Sequence, residues 1–505
     1  MLDRLLLHDN PALQLSPSII GDDPRTVPQP QTASARSILD FYFARQAGRT
    51  RPLNEMKLIL LGRSGSGKTS IVQALRDLPF REREASTPGV TLCDCTLDGS
   101  GGQAVTAHVW DCSGQEPTHA LHPVFFSTRS IFVVVLTAAG GHPGDDAAYW
   151  LRMIREFGTD ARGQLPPVIV ALNQWNVPGA RPEVDRAALR ESYPFIRGFV
   201  EMDCKAKKGV PALKAALLRE ADRLPWVREP IPEQWDAVRR ALTTGTTALT
   251  CLTEAQYRVH CADDGVKDAG QQDYLAEILH QLGVVLNFRD DPRLREAGVL
   301  APEWLTRNAY ALLQRAANRA GLLRQADVAA VLDVGNARDA GLYPIKFLEH
   351  CGIAHALQTA DGGAWLVPRL LPADPPSALG DFRAVEDAAC LRFTYQELPD
   401  GLLVRLAARR FDFIEEAREQ KRLWSRGLVF LRHGARALIR IEPQDRQVTL
   451  TVTGPANARD HLASLCHTEL RDLHASLPGT TPVEESLIDS IWVRADIPAE
   501  ADTQL

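Results

Sequence analysis

Gly62-Arg63-Ser64-Gly65-Ser66-Gly67-Lys68-Thr69 brings together three glycines, a lysine and a hydroxyl, the set needed to hold a polyphosphate. Glycines let successive backbone N–H groups curl around phosphate oxygens, and the following helix adds the positive end of its dipole. Lys68 reaches the terminal phosphates, Thr69 can ligate Mg²⁺, and Ser70 stands next in the same first helical turn. The run Met56 to Leu61 before the loop reads as a strand and the residues after it as a helix, the context that gives the short pattern its meaning. The loop alone does not separate ATP from GTP.

Further along, Asp111-Cys112-Ser113-Gly114-Gln115-Glu116 ends a predicted strand. Asp111 there can hold Mg²⁺ through a water, the Gly114 N–H can meet a γ-phosphate, and Gln115 can orient an attacking water. Thr87 lies between the first helix and the second strand, where a hydroxyl completes a Mg²⁺ shell; Thr91 competes for that role. Catalysis is thus expected from Gln115 and Lys68. For the base, Asn173-Gln174-Trp175-Asn176 stands where guanine-binding GTPases have Asn-Lys-x-Asp. An amide at Asn176 accepts one guanine donor but turns its NH₂ toward the other, a loss of about 1.5 to 3 kcal/mol. Gln174 keeps an aliphatic stem for the base without a charge. At the next strand end, Asp203-Cys204-Lys205 replaces the usual Ser-Ala-Lys: the Cys204 N–H can serve guanine O6 and the Lys205 stem can stack on the base.

These residues need a parallel α/β sheet to assemble them. Strands are predicted at 56–62, 90–97, 104–111, 130–138, 168–173 and 198–204, with helices between. The turn-forming residues 98–102 make the second and third strands an antiparallel hairpin, and the others run parallel. Cys93-Asp94-Cys95 alternates within a strand and lacks a second ligand pair, so it reads as small buried side chains and not as a metal site. His119 and His122 read as packing or loop residues, and Arg81 to Glu84 as a solvated face.

The 505 residues exceed a single core and predict several domains. Hydrophobic residues at 45%, charged residues at 24% and a net charge of −6 describe an ordinary globular protein with no general attraction to polyanions. Nine scattered cysteines point to a reducing, cytoplasmic setting. The apolar run from Ile131 to Ala139 falls far short of the roughly 20 residues that cross a bilayer. Residues 1–36 read as a mobile leader, 37–54 as a short helix and linker, and 55–226 as the nucleotide domain. A helical segment follows over 227–376, with a capping box at Thr253-Glu-Ala-Gln256 and Pro302 in a first helical turn. Its residues 322–371 read helix, helix, strand, strand, like a winged helix. The would-be recognition helix, Tyr343 to Gly352, carries one Lys against one Glu and no Arg, so no nucleic acid is expected. Residues 377–484 hold a three-strand meander and an amphipathic helix over 458–477, and 485–505 form a tail.

Taken together, the chain resembles the Roco family, in which a Ras-like GTPase domain (Roc) precedes a companion domain (COR). The first part of the resemblance rests on Asn54 to Gly62, the phosphate loop, Trp110 to Glu116 and Phe125 to Ser130. The second rests on Ile231 to Trp235, Leu282-Gly283-Val284, Val299 to Leu305, Tyr395 to Leu402 and Arg426 to Phe430. It implies GTP and GDP binding, slow hydrolysis with Mg²⁺, and a homodimer formed through COR. It also implies nucleotide roles for Gly62 to Thr69, Thr87, Asp111, Gly114, Gln115, Asn173 and Lys205. Asn176, Gln174 and Asp203 depart from the family pattern. No kinase activity is expected from these residues, and effector partners are not named by them. The expected fold is an α/β P-loop GTPase domain with a mostly parallel sheet and one antiparallel strand. A helical, winged-helix-like subdomain and an α+β C-terminal subdomain follow it.

Overall fold

A computed structural model describes the chain from Thr50 to Arg494, with a few positions before it. Within that span it leaves out 82–88, 100–103, 115–120, 123, 128, 139–141, 160–162, 175–180, 245–250, 290, 332–341, 358–362, 377–378, 380–381, 383–387, 400, 418–419, 477–481 and 489–490. The chain forms two compact units: Met1–Tyr310 with Asn336–Cys351, and Ala311–Gly335 with Gly352–Leu505. This division falls inside the helix Pro302–Ala317.

The first unit is built on a six-stranded sheet. Its elements are β1 (Glu55–Leu61), α1 (Lys68–Leu75), β2 (Val90–Leu97), β3 (Val105–Cys112), β4 (Ser130–Leu136), α2 (Pro143–Phe157), β5 (Val168–Leu172), α3 (Arg186–Ser192), β6 (Ile196–Glu201) and α4 (Val210–Arg223). The strand order is β2-β3-β1-β4-β5-β6. Only β2–β3 is antiparallel, as the short turn predicts. Both neighbours of β1 are parallel to it, so the connections leave β1 in opposite directions and open a crevice at the carboxyl ends of the strands. All seven residues of β1 are buried. Met56, Leu58 and Leu60 face the core under α1 and α4, with Ile71, Leu75, Leu213 and Leu217.

The opposite face of β1 is unusual because it carries Lys57, 1% exposed. Its ammonium donates to the Phe125 carbonyl at 2.7 Å and lies 4.1 Å above the Trp110 ring. Burial pushes its pKa down to about 7, with the Cys112 thiol acting the other way. Above this pair sits Gly283 at φ 71°, where a Cβ would come within 2.4 Å of Trp110 Nε1. The helices of this part are α5 (Glu233–Thr244), α6 (Glu254–Asp263) and α7 (Ala269–Gln281), and Gly283 comes just after Leu282, the C-cap of α7. Trp235, Tyr257, Leu275, Leu279 and Leu282 form their common core. The expected capping box at Thr253 and Gln256 is present.

A buried charge network joins the start of the sheet to α5. His108 lies between Glu55 (3.0 Å) and Asp94 (2.7 Å), Arg239 reaches Glu55 and Asp236, and Arg51 reaches Asp236 at 2.6 Å. Burial pulls the His108 pKa down, but hydrogen bonds to Asp94 and Glu55 outweigh it and raise the pKa to about 9. In Cys93-Asp94-Cys95, Cys95 Sγ is buried against the Leu75 carbonyl, in keeping with the packing reading. All nine cysteines are free.

In the second unit the strand Leu322–Arg324, absent from the sequence reading, pairs with Ala364–Leu366, which also takes His355–Leu357. A seven-stranded antiparallel sheet follows, from β7 (Ala389–Thr394), β8 (Leu423–Trp424), β9 (Gly427–Arg432), β10 (Ala435–Glu442), β11 (Gln447–Thr453), β12 (Val483–Ile488) and β13 (Ile491–Arg494). Its order is β8-β9-β10-β11-β7-β12-β13. The helix Ala456–Ser476 covers the dry face through Leu462, Cys466, Leu470 and Leu473, as its spacing predicts. The tail set at 485–505 is corrected: β12 and β13 extend the sheet to Arg494 because β7 offers β12 a full edge to pair with. Among the described residues, no helix is long and apolar enough to cross a membrane.

The His108 network predicts a specific pH dependence. A group whose folded pKa is raised from 6.5 to about 9 stabilises the fold fully below pH 6.5 and loses that contribution as pH rises through 9. In thermal unfolding, the advantage of wild type over His108→Gln should therefore shrink between pH 6.5 and 9.5. Separately, Gly283→Ala has no room on Trp110 and should lower the unfolding free energy in urea by about 1 to 3 kcal/mol.

Candidate functional site: a phosphate loop at the sheet edge

The site forms where β1, β3, β5 and β6 end. Hydrophobic strands place four loops side by side, and short polar contacts then fix the backbone. The loop 62–67 leaves β1 with Gly62, Gly65 and Gly67 at φ 156°, 76° and 91°. Gly67 is the N-cap of α1 and has a left-handed backbone; a Cβ there would lie 2.1 Å from Asn173 Nδ2. That same nitrogen donates to the Ser66 carbonyl at 2.8 Å. Ser66 is 1% exposed, and its hydroxyl has no partner among the described residues. A buried hydroxyl of this kind, beside the glycine-rich loop, fits an anion that accepts from it.

Lys68, buried, donates to the carbonyls of Gly62 (2.8 Å) and Arg63 (2.9 Å). Burial lowers its pKa, against the charges of Asp111 and Cys112. The ammonium therefore rests folded over the loop, on weak neutral acceptors that phosphate oxygens would outcompete. Thr69 Oγ1 donates to Asp111 Oδ2 at 2.6 Å, bringing together a hydroxyl and a carboxylate from the two expected Mg²⁺ ligands. Oxygen donors of this kind suit a hard divalent cation. Ser70 follows, half buried, in the first turn of α1.

Gly114 abuts the loop directly. Its carbonyl accepts from the Ser64 N–H at 3.1 Å, and a Cβ on it would stand 2.2 Å from Ser64 N. Ser113 N donates to the Gly89 carbonyl at 2.7 Å, which ties the end of β3 to the residue before β2. Gly89 (φ 88°) in turn lies under the Tyr310 ring, with 2.4 Å to Cδ2 from a would-be Cβ. Thr91 on β2 pairs in register with Asp111 on β3. Thr87, Gln115, Asn176 and His119 lie outside the described residues. His122 is buried against Trp150, with 5.7 Å between ring centroids, consistent with packing.

The residues expected to meet a base make the following contacts. The Asn173 side chain, 3% exposed, spans the site: it donates to Ser66 and accepts from the Cys204 thiol at 3.8 Å. Gln174 sits at φ 57° and accepts from Thr137 Oγ1 at 2.7 Å through its Oε1. Asp203 Oδ1 accepts from Ala206 N at 3.0 Å and so shapes the turn that carries Cys204 and Lys205. Burial pushes the Cys204 thiol up to about 12, with Asp203 adding to the shift, so it stays protonated and can donate. Lys205 is exposed. No local sequence signal points to Asp146. This residue of α2, 8% exposed at its side chain, takes the Arg63 guanidinium in an ion pair, so that Arg63 braces the loop from outside.

The chain is similar to known proteins along most of its length. Three family models match in succession: "Ras of Complex, Roc, domain of DAPkinase" over residues 57–176, "C-terminal of Roc, COR-A domain" over 232–371, and "C-terminal of Roc, COR-B domain" over 387–501. The chain belongs to the Roco family. Its first domain is a Ras-like Roc GTPase domain, followed by COR. The solved structure of Methanosarcina barkeri Roco2 RocCORdC bound to GDP is similar, with a TM-score of 0.54 at 29% identity, covering 64% of this chain and 98% of that one. A Roc-COR-CHAT protease from an unknown prokaryotic organism is 23% identical over 483 residues, 90% of this chain and 43% of that protein. The probable serine/threonine-protein kinase pats1 of Dictyostelium discoideum is 22% identical over 80% of this chain, which matches only 14% of it. This Roco chain thus spans less than half the length of these two curated relatives.

The brace carries a test. Arg63→Ala leaves the buried Asp146 carboxylate without its guanidinium, and the half-exposed arginine limits the loss to about 1 kcal/mol. The expected result is a lower unfolding midpoint and a severalfold weaker GDP affinity, both largely restored in Arg63→Lys.

Proposed function

We propose that this Roco protein is a Mg²⁺-dependent GTPase switch whose nucleotide state is passed to COR. The observation that carries the proposal is the convergence on one sheet edge of Gly67, Lys68, the Thr69–Asp111 pair, Gly114 and Asn173. In this reading the backbone N–H groups of residues 63–69 bind the phosphates and Lys68 leaves its two carbonyls for the β- and γ-oxygens. Thr69 and Asp111, joined by Thr87, would hold Mg²⁺, which supplies positive charge against the phosphate oxygens. The Gly114 N–H receives the γ-phosphate, and Gln115 orients the attacking water. Asn173, Cys204 and Lys205 face the base. The Ras-like fold and the GDP bound to the Methanosarcina relative support the nucleotide. Slow turnover, homodimerisation through COR, a signalling role and a cytoplasmic setting belong to the same proposal and rest on the resemblance.

Relaxed base selectivity is a second reading, favoured by one contact. Gln174 is held by Thr137 and brings no charge to the base, and Asn176 lacks the carboxylate that guanine prefers. Weak nucleotide binding would instead describe a scaffold acting through protein contacts.

Two measurements test these readings. Purified wild type should hydrolyse GTP only with Mg²⁺, and Lys68→Ala should lose activity by two orders of magnitude or more (about 3 kcal/mol); equal rates for the two proteins would refute the mechanism. Titration with GTP, ATP and XTP should show Asn176→Asp gaining about tenfold or more for GTP. Unchanged GTP affinity in that variant would remove the account of the base.

A further inference from the structure

Lys57 is a buried cation whose presence stability alone does not explain. It stands on β1, in register with His108 on β3 and Ser130 on β4. Among the described residues its ammonium meets the Phe125 carbonyl at 2.7 Å and the face of the Trp110 ring at 4.1 Å, and no carboxylate forms an ion pair with it. Taking an ammonium out of water on such terms costs stability, and an apolar side chain of similar length would fill the space without that cost. The space is closed around the stem as well, since a Cβ on Gly283 would stand 2.9 Å from Lys57 Cε.

The ammonium holds the two ends of one segment. Trp110 immediately precedes Asp111 at the end of β3, and Phe125 lies shortly before β4 begins at Ser130. Between them is Gly114, whose carbonyl accepts from the Ser64 N–H of the phosphate loop. The returning end is fastened to COR-A and to the chain before α5. The Phe125 ring lies 5.9 Å from that of Phe347 on the helix Tyr343–His350, and Ser127 Oγ donates to the carbonyl of Gln281, the last residue of α7, at 2.8 Å. Arg129 pairs with Glu229 at 3.1 Å, both side chains buried. These contacts tie Phe125 to Arg129 to the COR-A side. Lys57 ties Phe125 to the nucleotide side, because β1 runs from Lys57 directly into Gly62.

We propose that Lys57 is a positioning residue for GTP hydrolysis: it holds the Phe125 carbonyl beside the Trp110 ring and thereby sets where Gly114, between them, meets the γ-phosphate. Lys57 itself touches neither nucleotide nor Mg²⁺. Its effect on hydrolysis rests on the GTPase reading, whereas its hold on Phe125 does not. GDP has no γ-phosphate, and the phosphate loop is held separately by Asn173 and Asp146. Removing the ammonium therefore separates turnover from GDP binding. A lysine that only supported the fold would move stability, binding and turnover together.

The test compares the full wild-type chain with Lys57→Met, which keeps the stem and removes the ammonium. The expected result is single-turnover hydrolysis of bound GTP with Mg²⁺ slowed about tenfold or more, with GDP affinity within about twofold of wild type. The unfolding midpoint should not fall, since a buried charge has been removed. In the nucleotide-free chain, hydrogen exchange in a peptide spanning Leu121 to Ser127 should be about fivefold faster or more, with Val168 to Leu172 unchanged. Unchanged hydrolysis, or hydrolysis, GDP affinity and midpoint falling together, overturns the positioning role. Unchanged exchange from Leu121 to Ser127 overturns the hold on Phe125. If Lys57→Met fails to fold, Lys57→Gln, one atom shorter and uncharged, takes its place, with hydrolysis slowed about threefold or more at the same GDP affinity. If wild type hydrolyses no GTP, the GTPase reading fails, and the exchange measurement still decides whether Lys57 holds the segment.

Discussion

The hydrogen bond from Asn173 Nδ2 to the Ser66 carbonyl is the constraint on which the nucleotide site depends. It spans from the end of β5 to the loop after β1, and it does so only because Gly67 has no side chain in its path. A bond of this kind contributes about 1 kcal/mol to stability. Its larger effect is geometric, because it sets the carbonyl direction and therefore the direction of the N–H groups that follow. The Gly114–Ser64 contact and the Arg63–Asp146 pair hold the same loop from two other sides. A loop fixed in this way would bind phosphate, as proposed, without first losing the entropy of ordering itself.

The COR-A side of the first unit reaches this site by packing and not by a polar ligand. Gly283 lies on Trp110, Tyr310 lies on Gly89, and Lys57 ties the Trp110 ring to the Phe125 carbonyl. Trp110 and Phe125 flank the segment that contains Gln115 on both sides. A shift of Gly283 by a fraction of an ångström has nowhere to go except into Trp110, because close-packed contacts transmit displacement. This gives the Roc and COR-A parts a physical route for coupling that needs no intervening ligand.

Much of this was legible in sequence because strong local signals lay in order. The strand before Gly62, the hairpin at 98–102 and the alternation in Gln447–Thr453 each follow from composition and period. What escaped were features that depend on distant partners. Leu322–Arg324 is three residues long and becomes a strand only beside Ala364–Leu366. Most of Val483–Ile488, from residue 485 on, reads as tail until β7, some ninety residues earlier, supplies its partner. Lys57 looks like a surface lysine in an apolar run, and Asp146 like a helix N-terminal acid; their burial and their partners come from the tertiary fold. In the site, residue types were readable while side-chain duties were not. Arg63 turns outward to Asp146, Gln174 is held by Thr137, and Asn173 is occupied with the loop and Cys204.

If Asn173 holds the loop from Gly62 to Thr69 ready for a nucleoside polyphosphate, removing its amide must weaken nucleotide binding. Calorimetric titration of GDP with Mg²⁺ into wild type and Asn173→Ala tests this most directly. The expected result is one site per chain in wild type and an affinity at least about tenfold weaker in the variant, the loss of one hydrogen bond plus the ordering it supplies. Equal affinity in the two proteins, or no GDP binding by wild type, would contradict it.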